Sequence, residues 1–91
     1  IKLDAEGAEL PSLKGANALL IKHKPILFFE GCKKWMNSFQ YNPKDFDQFL
    51  QSTNYTTLQV VDKKLISIHS LENFLADKPE DASFNFLAKQ N

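Results

Sequence analysis

Ile1-Lys2-Leu3-Asp4-Ala5-Glu6-Gly7-Ala8-Glu9-Leu10-Pro11-Ser12-Leu13-Lys14-Gly15 decides the fold. It reads as a short buried strand, residues 1–4, that runs through acidic residues and a glycine into a helix. That is the chemistry of a strand-to-helix turn in an α/β sheet, where ligands sit at the carboxyl ends of the strands. Asp4 and Glu6 occupy such an end. Gly7 lets the backbone turn sharply or approach a ligand closely.

Outward from that stretch, residues 9 to about 24 read as helical. Pro11 falls in the first turn, where its missing N–H does no harm. Leu10, Leu13, Ala16 and Leu20 form a stripe at helical spacing, and Gly15 interrupts it, so a kink or two short pieces are expected. Lys22, His23 and Lys24 crowd the last turn, where cations complement the dipole, and Pro25 forbids continuation. Residues 25–30 are the clearest strand: Ile26, Leu27, Phe28 and Phe29 in succession predict burial on both faces. It ends in Glu30-Gly31, echoing the end of the first strand. The unit is β-α-β, with its two acidic ends side by side on one edge of the sheet.

Residues 32–42 mix Lys33, Lys34, Trp35, Met36, Phe39 and Tyr41 without a clean period and read as a loop covering the strand ends. Asn42-Pro43 opens a helix over residues 43 to about 52, with Phe46, Phe49 and Leu50 as its buried face and Asp45 and Asp47 in its first turns. Residues 55–62 are β-branched and aromatic, a strand by propensity. Lys63-Lys64 turns it into a second short strand over 65–68. Residues 71–76 read as one or two helical turns, with Ser70 as N-cap. Residues 78–82 are a polar loop, and 83–89 alternate as a final strand.

The pieces D-x-E-G-A-E at Asp4 to Glu9, L-K-G-A at Leu13 to Ala16, Leu19-Leu20, and K-P-I-L-F-F-E at Lys24 to Glu30 resemble, in that order, the FkbM family of S-adenosylmethionine-dependent methyltransferases. The match is dense over residues 1–31 and looser beyond. The resemblance implies the carboxyl half of a Rossmann-like methyltransferase fold. Its element order is β-α-β-α-β-β, in a mostly parallel sheet with an antiparallel last strand inserted between two others. It implies S-adenosylmethionine as donor and a hydroxyl, often on a sugar or polyketide, as acceptor. On this reading residues 1–91 are a single, partial domain. The amino half, with the first strand and the Gly-rich loop for the cofactor, is absent, because glycines at 7, 15 and 31 cannot make G-x-G-x-x-G. The sequence opens inside a strand without an initiator Met, and the ninety-one residues are expected to belong to a larger protein that carries most of the cofactor site. The first strand would then be an unprotected apolar edge prone to self-association.

Composition narrows the field. Lys+Arg and Asp+Glu both number 11, so no net field favours nucleic acid or anionic membrane. All the basic residues are lysine, which removes the side chain best suited to bidentate recognition of phosphate or base edges. No apolar run approaches the ~20 residues of a membrane span, and no signal-peptide pattern is present. Cys32 is alone, so no internal disulfide forms, and a reducing, cytoplasmic setting is the default. Asn54-Tyr55-Thr56 matches a glycosylation sequon by chance.

Asp4, Glu6 and Glu30 are the candidate catalytic residues. Three carboxylates converging at adjacent strand ends act on an acceptor hydroxyl as base or positioner. Which of them is the base stays open. The resemblance supports Asp4 and Glu6 as motif positions, with Asp4 and Ala5 touching the cofactor. The competing structural reading is that Glu6 and Glu9 merely decorate a helix N-terminus, and for Glu9 it leads. Asp4, Glu6 and Glu30 are also hard oxygen ligands suited to Mg²⁺. Without a fourth protein ligand, a metal is not favoured. Cys32, His23 and His69 are unrelated in spacing, which argues against zinc. Trp35, Phe39 and Tyr41 either line a pocket as a lid or cover the core. The rival to a methyltransferase fragment is a non-catalytic α/β interaction module that retains the scaffold.

Overall fold

The computed structural model describes residues 1–90. In it Lys2–Leu3 (β1) lies parallel to Leu27–Cys32 (β2), with Leu3 beside Phe29. Between them the chain forms two short helices, Glu9–Gly15 (α1) and Asn17–His23 (α2), which part at Ala16. The interruption expected at Gly15 is therefore a true break. Lys24, in the left-handed region at φ 51°, ends α2 with its N–H on the Leu20 carbonyl.

Residues 32–42 were expected to form a loop; instead Lys33–Ser38 is a helix (α3). No side chain caps its start, and its single wholly buried side chain is Met36. Six residues carry too little periodicity to be seen in sequence, and a helix that short does not stand alone in water. Tertiary contacts hold it: the Lys34 N–H donates to the Glu80 carbonyl at 2.8 Å, and the Cys32 thiol donates to the same oxygen at 3.4 Å.

Pro43–Ser52 (α4) starts where the sequence places it. Asn42 accepts from the Asp45 N–H while the Asp45 carboxylate accepts from the Asn42 N–H, a reciprocal cap with Pro43 at the first helical position. Tyr55–Val61 (β3) and Lys64–Ser67 (β4) form a hairpin whose turn residues, Asp62 and Lys63, both have positive φ. Leu71–Leu75 (α5) is capped by the Ser70 hydroxyl. A second cap comes from α4: the Asp47 carboxylate accepts from the Leu71 and Glu72 N–H groups at 2.8 and 2.9 Å. Burial still raises the Asp47 pKa above its ordinary value.

Ser83–Gln90 (β5) completes a sheet in the order β1-β2-β5-β3-β4. It runs antiparallel to both neighbours, with Phe86 between Phe29 and Gln59. The last strand is antiparallel as expected, but the sheet is mixed rather than mostly parallel. Only the β1–β2 pairing is parallel, because β5 separates β2 from β3.

The helices pack on one face of this sheet. Leu10, Leu13, Leu20, Met36, Phe46 and Leu50 join Leu27, Phe29, Phe86 and Ala88 in one core. The thinnest dimension, 20 Å, is that of two layers. The other face is bare: Phe28 is 45% exposed and Leu65 is 51% exposed. Burial of β2 on both faces was expected from its apolar run; in fact Leu27 and Phe29 point into the core and Phe28 points out. Period-2 alternation forces that split wherever helices cover one face alone.

Candidate functional site

The register that sets Leu3 beside Phe29 puts Asp4, the residue after β1, next to Glu30, which lies inside β2 two residues before its end at Cys32 and not at the strand end expected from sequence. Both line a groove of about 450 Å³ on the bare face of the sheet, with Lys2, Phe28, Val60 and Asn85. Phe28 and Val60 form an apolar floor, and the carboxylates, the lysine and the amide supply polar groups. Asp4 is exposed and Glu30 half-buried.

Glu6 does not line this groove. It is exposed, in the turn that follows. Residues 5–8 form that turn, closed by the Ala8 N–H on the Ala5 carbonyl at 3.1 Å, with Glu6 at φ 47° and Gly7 at φ 108°. Two successive positive φ values reverse the chain within two residues, which glycine permits at the second of them. Gly7 is approached closely, but by protein: the carbonyl of Trp35 and the ring of Phe39 fill the space a Cβ would need.

Glu9, expected to decorate a helix end, is 2% exposed. Its Oε2 accepts from the Ala5 N–H at 2.9 Å and its Oε1 from the Gly7 N–H at 2.8 Å, so one carboxylate spans the turn. Tyr41 donates its hydroxyl to the Gly7 carbonyl at 2.7 Å. The aromatic residues proposed as a lid thus lie against this turn and the core; Trp35, Phe39 and Tyr41 are absent from the groove lining.

Burial pushes the Tyr41 phenol well above the ordinary tyrosine value, and the Glu9 carboxylate adds to the shift. Tyr55, whose hydroxyl donates to the Pro25 carbonyl at 2.6 Å, is raised by burial too. The fold prefers both phenols neutral, so the folded chain keeps protons that the unfolded chain releases near pH ~10. Stability from this source is complete below that pH and falls as the pH rises through the folded values. Ultraviolet titration is expected to show neither tyrosine ionising at its ordinary value until the chain unfolds. A normal titration in the folded state would contradict the buried placement of both hydroxyls.

Among the described residues no three acidic, histidine or cysteine side chains come close enough to hold a metal ion. Asp4, Glu6 and Glu30 are therefore not a ligand set, since the turn carries Glu6 away from the other two. His23 and His69 are exposed, and Cys32 is buried with its thiol on a backbone carbonyl.

Sequence reasoning missed every groove residue except Asp4 and Glu30, and it missed the clamp. Lys2 shares a face with Asp4 by strand alternation, and Phe28 shares one with Glu30, so both were readable once one face was known to be bare. Asn85 was not, because only the insertion of β5 beside β2 brings it there. For Glu9 the signal was its place two residues after the turn glycine.

No helix among the described residues is long and apolar enough to cross a membrane. No curated protein matches the chain, and neither does any solved structure. The family model of the methyltransferase FkbM domain matches residues 1–57, the segment that runs from β1 into β3 and holds Asp4, Glu9, Glu30 and Tyr41. That match covers more than half of the sequence, and the chain belongs to the FkbM family of methyltransferase domains.

Proposed function

We propose that this chain supplies the acceptor side of a methyl-transfer site that uses S-adenosylmethionine, with a hydroxyl of a sugar, polyketide or similar small molecule as acceptor. The observation that carries this reading is that Asp4, just past the end of β1, and Glu30, on the neighbouring parallel strand β2, line one groove with an apolar floor. A carboxylate rim beside an aromatic floor suits a sulfonium, a cation carried on carbon chains, and Asp4 with the Ala5 backbone would hold that end of the cofactor. Bound there, S-adenosylmethionine supplies an electrophilic methyl group. The acceptor hydroxyl must lose its proton as its oxygen gains the methyl, and Asp4 or Glu30 accepts it. Phe28 and Val60 orient the acceptor and keep water from its apolar side. No glycine-rich turn exists in this chain to hold the amino-acid part of the cofactor. That part of the cofactor falls to residues outside these ninety-one.

The expected result with Asp4→Asn in the full natural protein is a loss of methyl transfer of about 10²–10⁴-fold, the usual worth of a general base. It would be measured as S-adenosylhomocysteine formed over a panel of hydroxylated acceptors. Unchanged turnover would remove Asp4 from the chemistry. Failure of the unsubstituted protein to bind S-adenosylmethionine would sink the enzyme reading altogether. The bare sheet face, with Phe28 and Leu65 exposed, would then favour the interaction module.

A further inference from the structure

Glu9 is a buried carboxylate that the reaction does not use, and no lysine or histidine forms an ion pair with it among the described residues. Taking a carboxylate out of water costs several kcal/mol unless its oxygens are satisfied. Here both oxygens are satisfied by one four-residue turn, at Ala5 and at Gly7. The start of α1 shows what is unusual about this. A helix N-terminus normally takes a polar cap residue whose side chain accepts from the first turn, yet Ala8 stands at that position and caps nothing. The carboxylate one residue later reaches backwards past it.

What it reaches is the backbone that carries the candidate catalytic groups. The Ala5 N–H belongs to the peptide that joins Asp4 to Ala5, so anchoring it fixes the direction in which Asp4 leaves the strand. The Gly7 N–H lies on the far side of Glu6. Tyr41 holds the other end of the same residue through the Gly7 carbonyl, so Gly7 is pinned at both its polar groups by side chains. Glu6 at φ 47° is in a conformation that a non-glycine residue keeps only where its surroundings hold it. The clamp and the strain are two sides of one arrangement.

We propose that Glu9 is a positioning residue of the methyl-transfer site: it holds the Asp4–Ala5 peptide and the Gly7 N–H so that Asp4 faces the groove, with Tyr41 as its second anchor. This rests on the methyl-transfer reading of Asp4. Glu9 touches neither acceptor nor cofactor, and its effect passes through Asp4.

Two readouts test it, the first independent of any activity. In Glu9→Gln one oxygen is replaced by an amide that cannot accept, so hydrogen exchange of the Ala5 or Gly7 amide, followed by nuclear magnetic resonance, is expected to quicken at least tenfold. Amides in the β2–β5 ladder should keep their protection. The second is a double-mutant cycle on the full natural protein, read as affinity for S-adenosylmethionine by calorimetry. Asp4→Asn and Glu9→Gln are each expected to weaken binding about tenfold, ~1.4 kcal/mol, and the double variant no more than the weaker-binding single. A purely structural Glu9 would give losses that add in full, and no change at the two amides would mean that it does not hold the turn; either result overturns the positioning role. If Glu9→Gln does not fold, Tyr41→Phe serves instead: it should quicken exchange at Gly7 and leave Ala5 protected, and a uniform change across the chain would count against the clamp. Asp4→Asn binding like the unsubstituted protein would overturn the site assignment itself, and the role of Glu9 with it.

Discussion

Gly7→Ala is expected to destabilise the chain by about 3 kcal/mol or more, through backbone conformation and steric overlap together. The residue sits at φ 108°, outside even the left-handed helical region that an L-residue can visit. A Cβ there would also press into the Trp35 carbonyl, which is backbone of α3 and cannot swing aside as a side chain would. Relief would require α3 to move away from the turn, and with it the anchoring of Tyr41 on Gly7. In a domain of this size each kcal/mol lowers Tm by about 4–8 °C, so a fall of at least ~12 °C is expected. Glu6→Gly is the matched control. Glu6 at φ 47° lies where a non-glycine residue is strained by only ~1 kcal/mol, so its replacement should change stability by no more than about that amount. Equal effects at the two positions would mean that the turn is not built as described.

Phe46→Ala should cost about 3–5 kcal/mol, the range for an aromatic removed from a closed core. The ring is wholly buried, stacked on Phe29 with centroids 4.7 Å apart and an interplanar angle of 19°. Tyr41 meets its edge at 6.2 Å. It thus joins α4 to β2 and to the residue that pins the turn after β1. Small domains hold only about 5–15 kcal/mol in total, so the variant should sit near the edge of folding. Chemical denaturation would show a much lower midpoint or no cooperative transition. Leu65→Ala is the contrast: Leu65 is 51% exposed, and its truncation should fall within about 0.5 kcal/mol of neutral. A loss under ~1 kcal/mol for Phe46 would mean that the core closes without it.

Much of the site's frame was legible in the sequence because it depends on local rules. Asp4 and Glu30 each close a short apolar run, and one helical connection between two such runs makes them parallel neighbours. Asn42, Pro43 and Asp45 announced the start of α4 through capping chemistry that acts within four residues. Ser70 did the same for α5. By contrast, α3 was not legible: its support comes from the Glu80 carbonyl, nearly fifty residues away, and from Gly7 on the far side of a strand. Glu9 looked like an ordinary helix-end carboxylate because sequence does not reveal that both its oxygens are consumed by the turn before it.

The sequence by itself determined the order and type of most elements, the pairing of β1 with β2, and the placing of two carboxylates on adjacent strands. Those follow from propensity, caps and apolar runs, which act over a few residues. Only the tertiary structure decided which face of the sheet is covered. Leu27 and Phe28 are equally apolar, and nothing local tells the one that meets the helices from the one left on the groove floor. No local pattern shows that β5 lies between β2 and β3, an insertion that only the family resemblance implied; it makes the sheet mixed and carries Asn85 into the groove. Both outcomes are set by non-local packing, where the gain lies in surfaces buried between segments far apart in the chain.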